Sequence, residues 1–126
     1  MFSRLQQLFG TARPAPMVAV PAGQRVYAVG DIHGRADLFS ALIEAIDAED
    51  AALGAAQTSV ILLGDLIDRG TQSRAVIDRA LALAACENCI FLMGNHEESL
   101  IQAWDGMEDV IPTFLRYGGD ALLHSY

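Results

Sequence analysis

The stretch Val60-Ile61-Leu62-Leu63-Gly64-Asp65-Leu66-Ile67-Asp68-Arg69-Gly70 runs from four apolar residues straight into a polar cluster bounded by glycines. A continuous apolar run of this length reads as a strand buried on both faces. The pattern occurs on either side as well. Val26-Tyr27-Ala28-Val29 precedes Gly30-Asp31-Ile32-His33-Gly34, and Ile90-Phe91-Leu92-Met93 precedes Gly94-Asn95-His96-Glu97. Between the first two runs Leu38, Phe39, Leu42, Ile43 and Ile46 recur at helical spacing, and Val76, Ile77, Ala80, Leu81 and Ala84 do so between the second and third. A β-α-β-α-β order predicts a parallel sheet with helices packed on it through right-handed crossovers. Further on, Leu100, Ile101 and Trp104 mark a third helix. Pro112 can open a short fourth one and Gly118-Gly119 can end it.

In an open parallel sheet the carboxyl ends of the strands lie side by side, so the three clusters are expected to converge into one site. Two carboxylates, Asp31 and Asp65, would repel one another there unless cations intervene. With the imidazoles and the amide of Asn95 they form a mixed donor set that suits Mn²⁺, Fe or Zn²⁺ better than Ca²⁺. A carboxylate shared by two divalent ions is the economical arrangement. Any one of these residues alone would read as a turn former or a structural histidine, but three clusters in order at strand ends outweigh that reading. For the neighbours the plain reading holds. Asp37 and Ser73 are expected to cap helices, and Glu97 and Glu98 to favour the first turn after the third strand, with Glu97 able to steady a ligand from behind.

The chain has 126 residues with 52% hydrophobic and 19% charged, which is material for one folded domain with a core. A net charge of −8 and a pI near 4.6 argue against a nucleic-acid binder, which needs Lys and Arg spread over a surface. No apolar stretch reaches the length of a membrane span. Residues 1–24 read as an amphipathic tail around Phe2, Leu5, Leu8 and Phe9 followed by a Pro-rich linker, with the domain occupying 25–126. Cys86 and Cys89 form a lone C-x-x-C without a second pair, so two half-buried free thiols and a reducing cytoplasm are expected.

GDIHG at 30–34, GDLIDRG at 64–70 and GNHE at 94–97, in this order, resemble the signature blocks of the calcineurin-like metallophosphoesterases. The likeness is to their phosphoprotein phosphatase branch, of the bacterial and phage serine/threonine type, and runs from about Arg25 to Tyr126. It includes the stretch Tyr117-Gly118-Gly119 through Ser125-Tyr126. The ending GNHE tilts the reading toward protein phosphatases, since the symmetrical diadenosine tetraphosphatases tend to carry GNHD.

The resemblance implies an α/β/β/α sandwich of which this chain supplies the first β-α-β-α-β half and the helices after it. It implies that Asp31 and His33 hold one metal, that Asp65 bridges two, and that Asn95 holds the second, with Mn²⁺ the leading ion. His96 would protonate the leaving group and Asp68 would orient His96. Arg69 would bind the phosphoryl oxygens while a hydroxide activated by both metals attacks phosphorus in line. The substrate so implied is a phosphoprotein or a small phosphoester. The family also carries a second sheet and two more His ligands in a later half. Here the remaining histidine, His124, reads as structural. The chain is therefore expected to be a fragment of a longer phosphatase or a short form without full activity. The rival readings are a symmetrical bis(5'-nucleosyl)-tetraphosphatase-like hydrolase and an incompetent domain that binds a metal or a partner. Loss of a second sheet would leave an apolar face open to self-association.

Overall fold

The computed structural model describes residues 19–85 and 88–126. The expected tail at 1–18, and Cys86, lie outside them. Strands β1 (Gln24–Val29), β2 (Gln57–Leu62) and β3 (Cys89–Phe91) form one parallel sheet in the order β1-β2-β3. Helix α1 (Ala36–Ala52) links the first two strands and α2 (Ser73–Ala84) the second and third. Helix α3 (Asn95–Trp104) starts directly behind β3, followed by α4 (Ile111–Phe114), a π-helical turn at Leu115–Gly119, and α5 (Asp120–His124). The chain thus shows the β-α-β-α-β order of the sequence reading, with the third strand ending two residues sooner.

One expectation is corrected. The strands are not buried on both faces. Val29, Leu62 and the partly buried Tyr27 and Val60 share the face that meets Phe39, Ile43 and Ile46 of α1 and Val76 and Ala80 of α2. On the other face Val26, Ile90 and Leu92 are 40%, 49% and 49% exposed. The cause is topological. Strands added in sequential order, each by a right-handed crossover, put every connecting helix on the same side of the sheet. Apolar residues at alternate strand positions are then left facing water.

A second difference lies at Gly118-Gly119, which does not end the helical run. Gly118 adopts φ 101° and kinks it, and the chain continues into α5. Gly119 is buried with no room for a side chain beside the Phe114 ring. Through Phe114 and Leu122, each 5% exposed, this last segment joins the core.

The helix starts also differ. Asp37 sits in the first turn of α1, but its carboxylate takes two bonds from Arg35, at 2.9 and 2.7 Å, instead of capping the helix. That pairing lowers its pKa to about 2. Ser73 opens α2, yet its Oγ accepts the N–H of Asp68 at 3.1 Å. At the far end of the sheet Asp50 accepts from the Thr58 hydroxyl and from Arg25, which together lower its pKa. Cys89 is a half-buried free thiol whose pKa burial raises.

Candidate metal and phosphoryl site

The tips of the three strands meet through their backbones. The carbonyl of Asp65 accepts the N–H groups of Ile32 and His33 at 3.0 and 2.9 Å, and the carbonyl of His33 accepts the N–H of Gly70 at 3.1 Å. Gly64 packs so closely on the backbone of Gly94 that no side chain fits between the second and third loops. Four site residues other than glycine hold a left-handed backbone: His33 at φ 44°, Asp65 at 53°, Asp68 at 70° and Arg69 at 64°. Such conformations cost about 1–3 kcal/mol each and persist only where surrounding bonds over-determine them.

Glu97 supplies much of that constraint for the second loop. Its carboxylate accepts the N–H groups of Asp65 and Leu66 at 2.8 Å each and of Ile67 at 3.3 Å, and it reaches back to the N–H of Gly94 at 2.9 Å. The last bond is one half of a capping box at the start of α3. The first three fill a concave run of backbone donors with a carboxylate. Sequence reasoning placed Glu97 at a helix start and also allowed it to steady a ligand from behind. Its larger role needs the second and third loops to be adjacent, which only the fold provides.

The imidazoles are set by their second nitrogens. His33 Nδ1 donates to the carbonyl of Ile67 at 2.9 Å, so Nε2 carries a lone pair. That atom is buried, has no hydrogen-bond partner among the described residues and lies 3.5 Å from Asp31 Oδ2. His96 is 4% exposed and packs edge-on to His33, with ring centroids 4.7 Å apart. Its Nδ1 lies 2.7 Å from Asp68 Oδ2, and Arg69 Nη2 donates to its Nε2 at 3.3 Å. A guanidinium can only donate, so Nε2 is the acceptor and Nδ1 carries the proton toward Asp68. Asp68 is fully buried, and that burial raises its carboxyl pKa against the lowering effect of its bond to His96.

The structure therefore brings Asp31 beside His33, and it gathers ligand atoms of His33, Asp65 and His96 within 4.8 Å of one another. Asp65 Oδ1 also accepts the N–H of His96 at 3.1 Å. Asn95 is the exposed first residue of α3, next to His96. His124 lies apart in α5, with Nδ1 donating to the Asp120 carbonyl one turn back. A buried imidazole nitrogen with a free lone pair and carboxylates within reach are donors that fit a divalent cation.

Comparison with known proteins agrees with this geometry. Residues 24–124 match the family described as calcineurin-like phosphoesterase. Among curated proteins the chain is similar to "Bis(5'-nucleosyl)-tetraphosphatase, symmetrical" of Delftia acidovorans, with 33% identity over 82 residues, 65% of this chain and 27% of that protein. The protein of the same name from Glaesserella parasuis is 34% identical over 86 residues, 68% of this chain and 29% of its own length. That of Acidovorax sp. is 35% identical over 78 residues, 62% of this chain and 25% of its own. The chain spans about a quarter of the length of these relatives.

Proposed function

Because the chain belongs to the calcineurin-like phosphoesterase family, we propose that it supplies the strand-tip half of a site that hydrolyses a phosphorus–oxygen bond with two divalent cations. The observation that carries this reading is the buried, unpartnered Nε2 of His33 beside Asp31, within a group that Asp65 and His96 complete. Asp31 and His33 would hold one ion, Asp65 would be shared, and Asn95 would hold the other. Mn²⁺ leads for this donor set, with Fe or Zn²⁺ as alternatives. When bound, such ions supply Lewis acidity toward phosphoryl oxygens and make water acidic enough to attack at neutral pH.

The chain's own residues do the rest. Arg69 presents a guanidinium to phosphoryl oxygens, and on taking up that role it releases Nε2 of His96. His96, held through Nδ1 by buried Asp68, then has Nε2 free to carry a proton to the leaving oxygen. Asp68 orients the ring and balances the imidazolium.

Two substrate classes follow. The names of the relatives support a symmetrical bis(5'-nucleosyl) tetraphosphate, and this is the reading we place first. Glu97 in GNHE supports phosphoserine or phosphothreonine in a protein. The chemistry separates them. A serine alkoxide is a poor leaving group and needs the proton from His96, whereas a nucleotide leaves as an already stabilised anion. Turnover of diadenosine tetraphosphate, a phosphoserine peptide and p-nitrophenyl phosphate is measured with Mn²⁺ for the wild type and His96→Ala. The expected loss is roughly 10²- to 10⁴-fold on the peptide and smaller on the dinucleotide. Absence of turnover on all three by the full-length protein would withdraw the hydrolase reading. Calorimetric Mn²⁺ binding without turnover would favour a binding domain instead. The uncovered sheet face is a further proposed contact, through which the chain associates with itself.

A further inference from the structure

Gly118 interrupts an otherwise helical run from Ile111 to His124 with a left-handed backbone at φ 101°. A helix carbonyl ordinarily points along its own axis to a later N–H. Here the carbonyl of Gly118 accepts the N–H of Arg69 in the second loop at 3.1 Å as well as that of Asp120 beside it. The approach is close. A Cβ on Gly118 would lie 2.7 Å from the backbone nitrogen of Arg69, 2.9 Å from its Cα and 3.1 Å from its Cγ. The next residue, Gly119, is wedged against Phe114, which is core, so the kink is fixed from behind.

Arg69 needs such support for a chemical reason. Among the described residues no carboxylate pairs with its guanidinium, whose one side-chain partner is His96. With no carboxylate to steer it, the guanidinium takes its aim from His96 and from its own backbone. That backbone sits at φ 64°, a conformation a side-chain-bearing residue rarely adopts unaided. Glu97 fixes Asp65, Leu66 and Ile67 but does not reach Arg69. We propose that Gly118 is a positioning residue for Arg69: its carbonyl and missing side chain hold the Arg69 backbone so that the guanidinium faces the phosphoryl site. The second loop would then have separate supports, Glu97 on its metal side and Gly118 on its phosphate side.

The proposal rests on the reading of Arg69 as the phosphate-binding group, and the test keeps the two apart. Amide hydrogen exchange at Arg69, calorimetric affinity for Mn²⁺, and affinity of the Mn²⁺-loaded chain for inorganic phosphate are measured on the wild type and three variants. Gly118→Ala adds both strain and a clash. Gly118→Asn tolerates positive φ and isolates the clash. Gly106→Ala is the control, because Gly106 has φ 91° with nothing within 4 Å of an added Cβ. Both Gly118 variants are expected to speed exchange at Arg69 roughly tenfold or more. They should weaken phosphate binding, and raise any measurable KM for p-nitrophenyl phosphate, roughly 10- to 100-fold. Mn²⁺ affinity should stay within about twofold, as for independent sites, and Gly106→Ala should leave all these quantities unchanged.

Unchanged exchange and phosphate affinity in a folded Gly118 variant would overturn the proposal, as would equal losses of phosphate and Mn²⁺ affinity. If neither variant folds, the wild type decides: an Arg69 amide exchanging as fast as an open loop overturns the support, and a protected one upholds it. A wild type that binds neither Mn²⁺ nor phosphate removes the hydrolase reading, while exchange at Arg69 still judges the support.

Discussion

The strand tips and the uncovered face of the same sheet solve opposite problems. At the tips the backbone is strained, with His33, Asp65, Asp68 and Arg69 all left-handed, and the donors of the second loop are met by Glu97, Ser73 and Gly118. On the face the backbone is relaxed and paired in register, but Val26, Ile90 and Leu92 meet water. Conformational strain is thus concentrated where polar groups must converge. Solvation strain is confined to where apolar groups have no cover. The first is balanced inside the chain; the second is balanced by no element among the described residues.

Four measurements sharpen or break this contrast. The largest effect is expected on the covered side of the sheet, where Leu62 is fully buried: Leu62→Ala should cost about 2–5 kcal/mol in urea unfolding. A cost near zero would mean that the two faces do not differ as described. Next, Glu97→Ala leaves the N–H groups of Asp65, Leu66 and Gly94 without their acceptor, and about 2–4 kcal/mol should be lost. Glu97→Gln should retain part of that stability and still weaken Mn²⁺ binding roughly 10- to 100-fold by calorimetry. Equal Mn²⁺ affinity in the two proteins would separate the carboxylate from the site.

On the uncovered face, Ile90→Thr should change stability by less than about 1 kcal/mol. It should nevertheless reduce concentration-dependent association in light scattering. A wild type that stays monomeric at high concentration would contradict a sticky face. The smallest effect concerns Asp37. Its pairing with Arg35 holds its pKa near 2, below the unfolded value, so its contribution is present above about pH 4 and is lost as pH falls through 2. Acid unfolding curves of wild type and Asp37→Asn should therefore differ slightly at neutral pH and merge near pH 2. Curves that diverge further on acidification would reverse the sign.

Much of the architecture was legible because apolar runs of four followed by Gly and Asp have few other uses, and helical spacing between them fixes the crossovers. That the three polar loops would meet followed from the parallel order alone. What escaped the sequence is instructive. An apolar run looks the same whether helices or nothing cover its second face, so Val26 and Ile90 read as core. Ser73 and Asp37 carry the residue types of caps, but nearby partners, the Asp68 N–H and the Arg35 guanidinium, draw their side chains elsewhere. Gly118-Gly119 reads as a stop because nothing local reveals that Arg69 lies against it. The donors met by Glu97 lie some thirty residues back, and one-dimensional pattern carries no such information.

The clasp made by Glu97 also has a direction in time. A ribosome releases the second loop before it releases the acidic side chain that fastens it, since residues 65–67 precede 97 in the chain. A nascent polypeptide that has emerged only as far as β2 and α2 can bury Leu62 and Val76, yet it still lacks the Glu97 carboxylate that meets the donors of its second loop. The convergence of the three loops is therefore a late product of synthesis, maturing after the layer beneath it has set, and it is not fastened until α3 has been made.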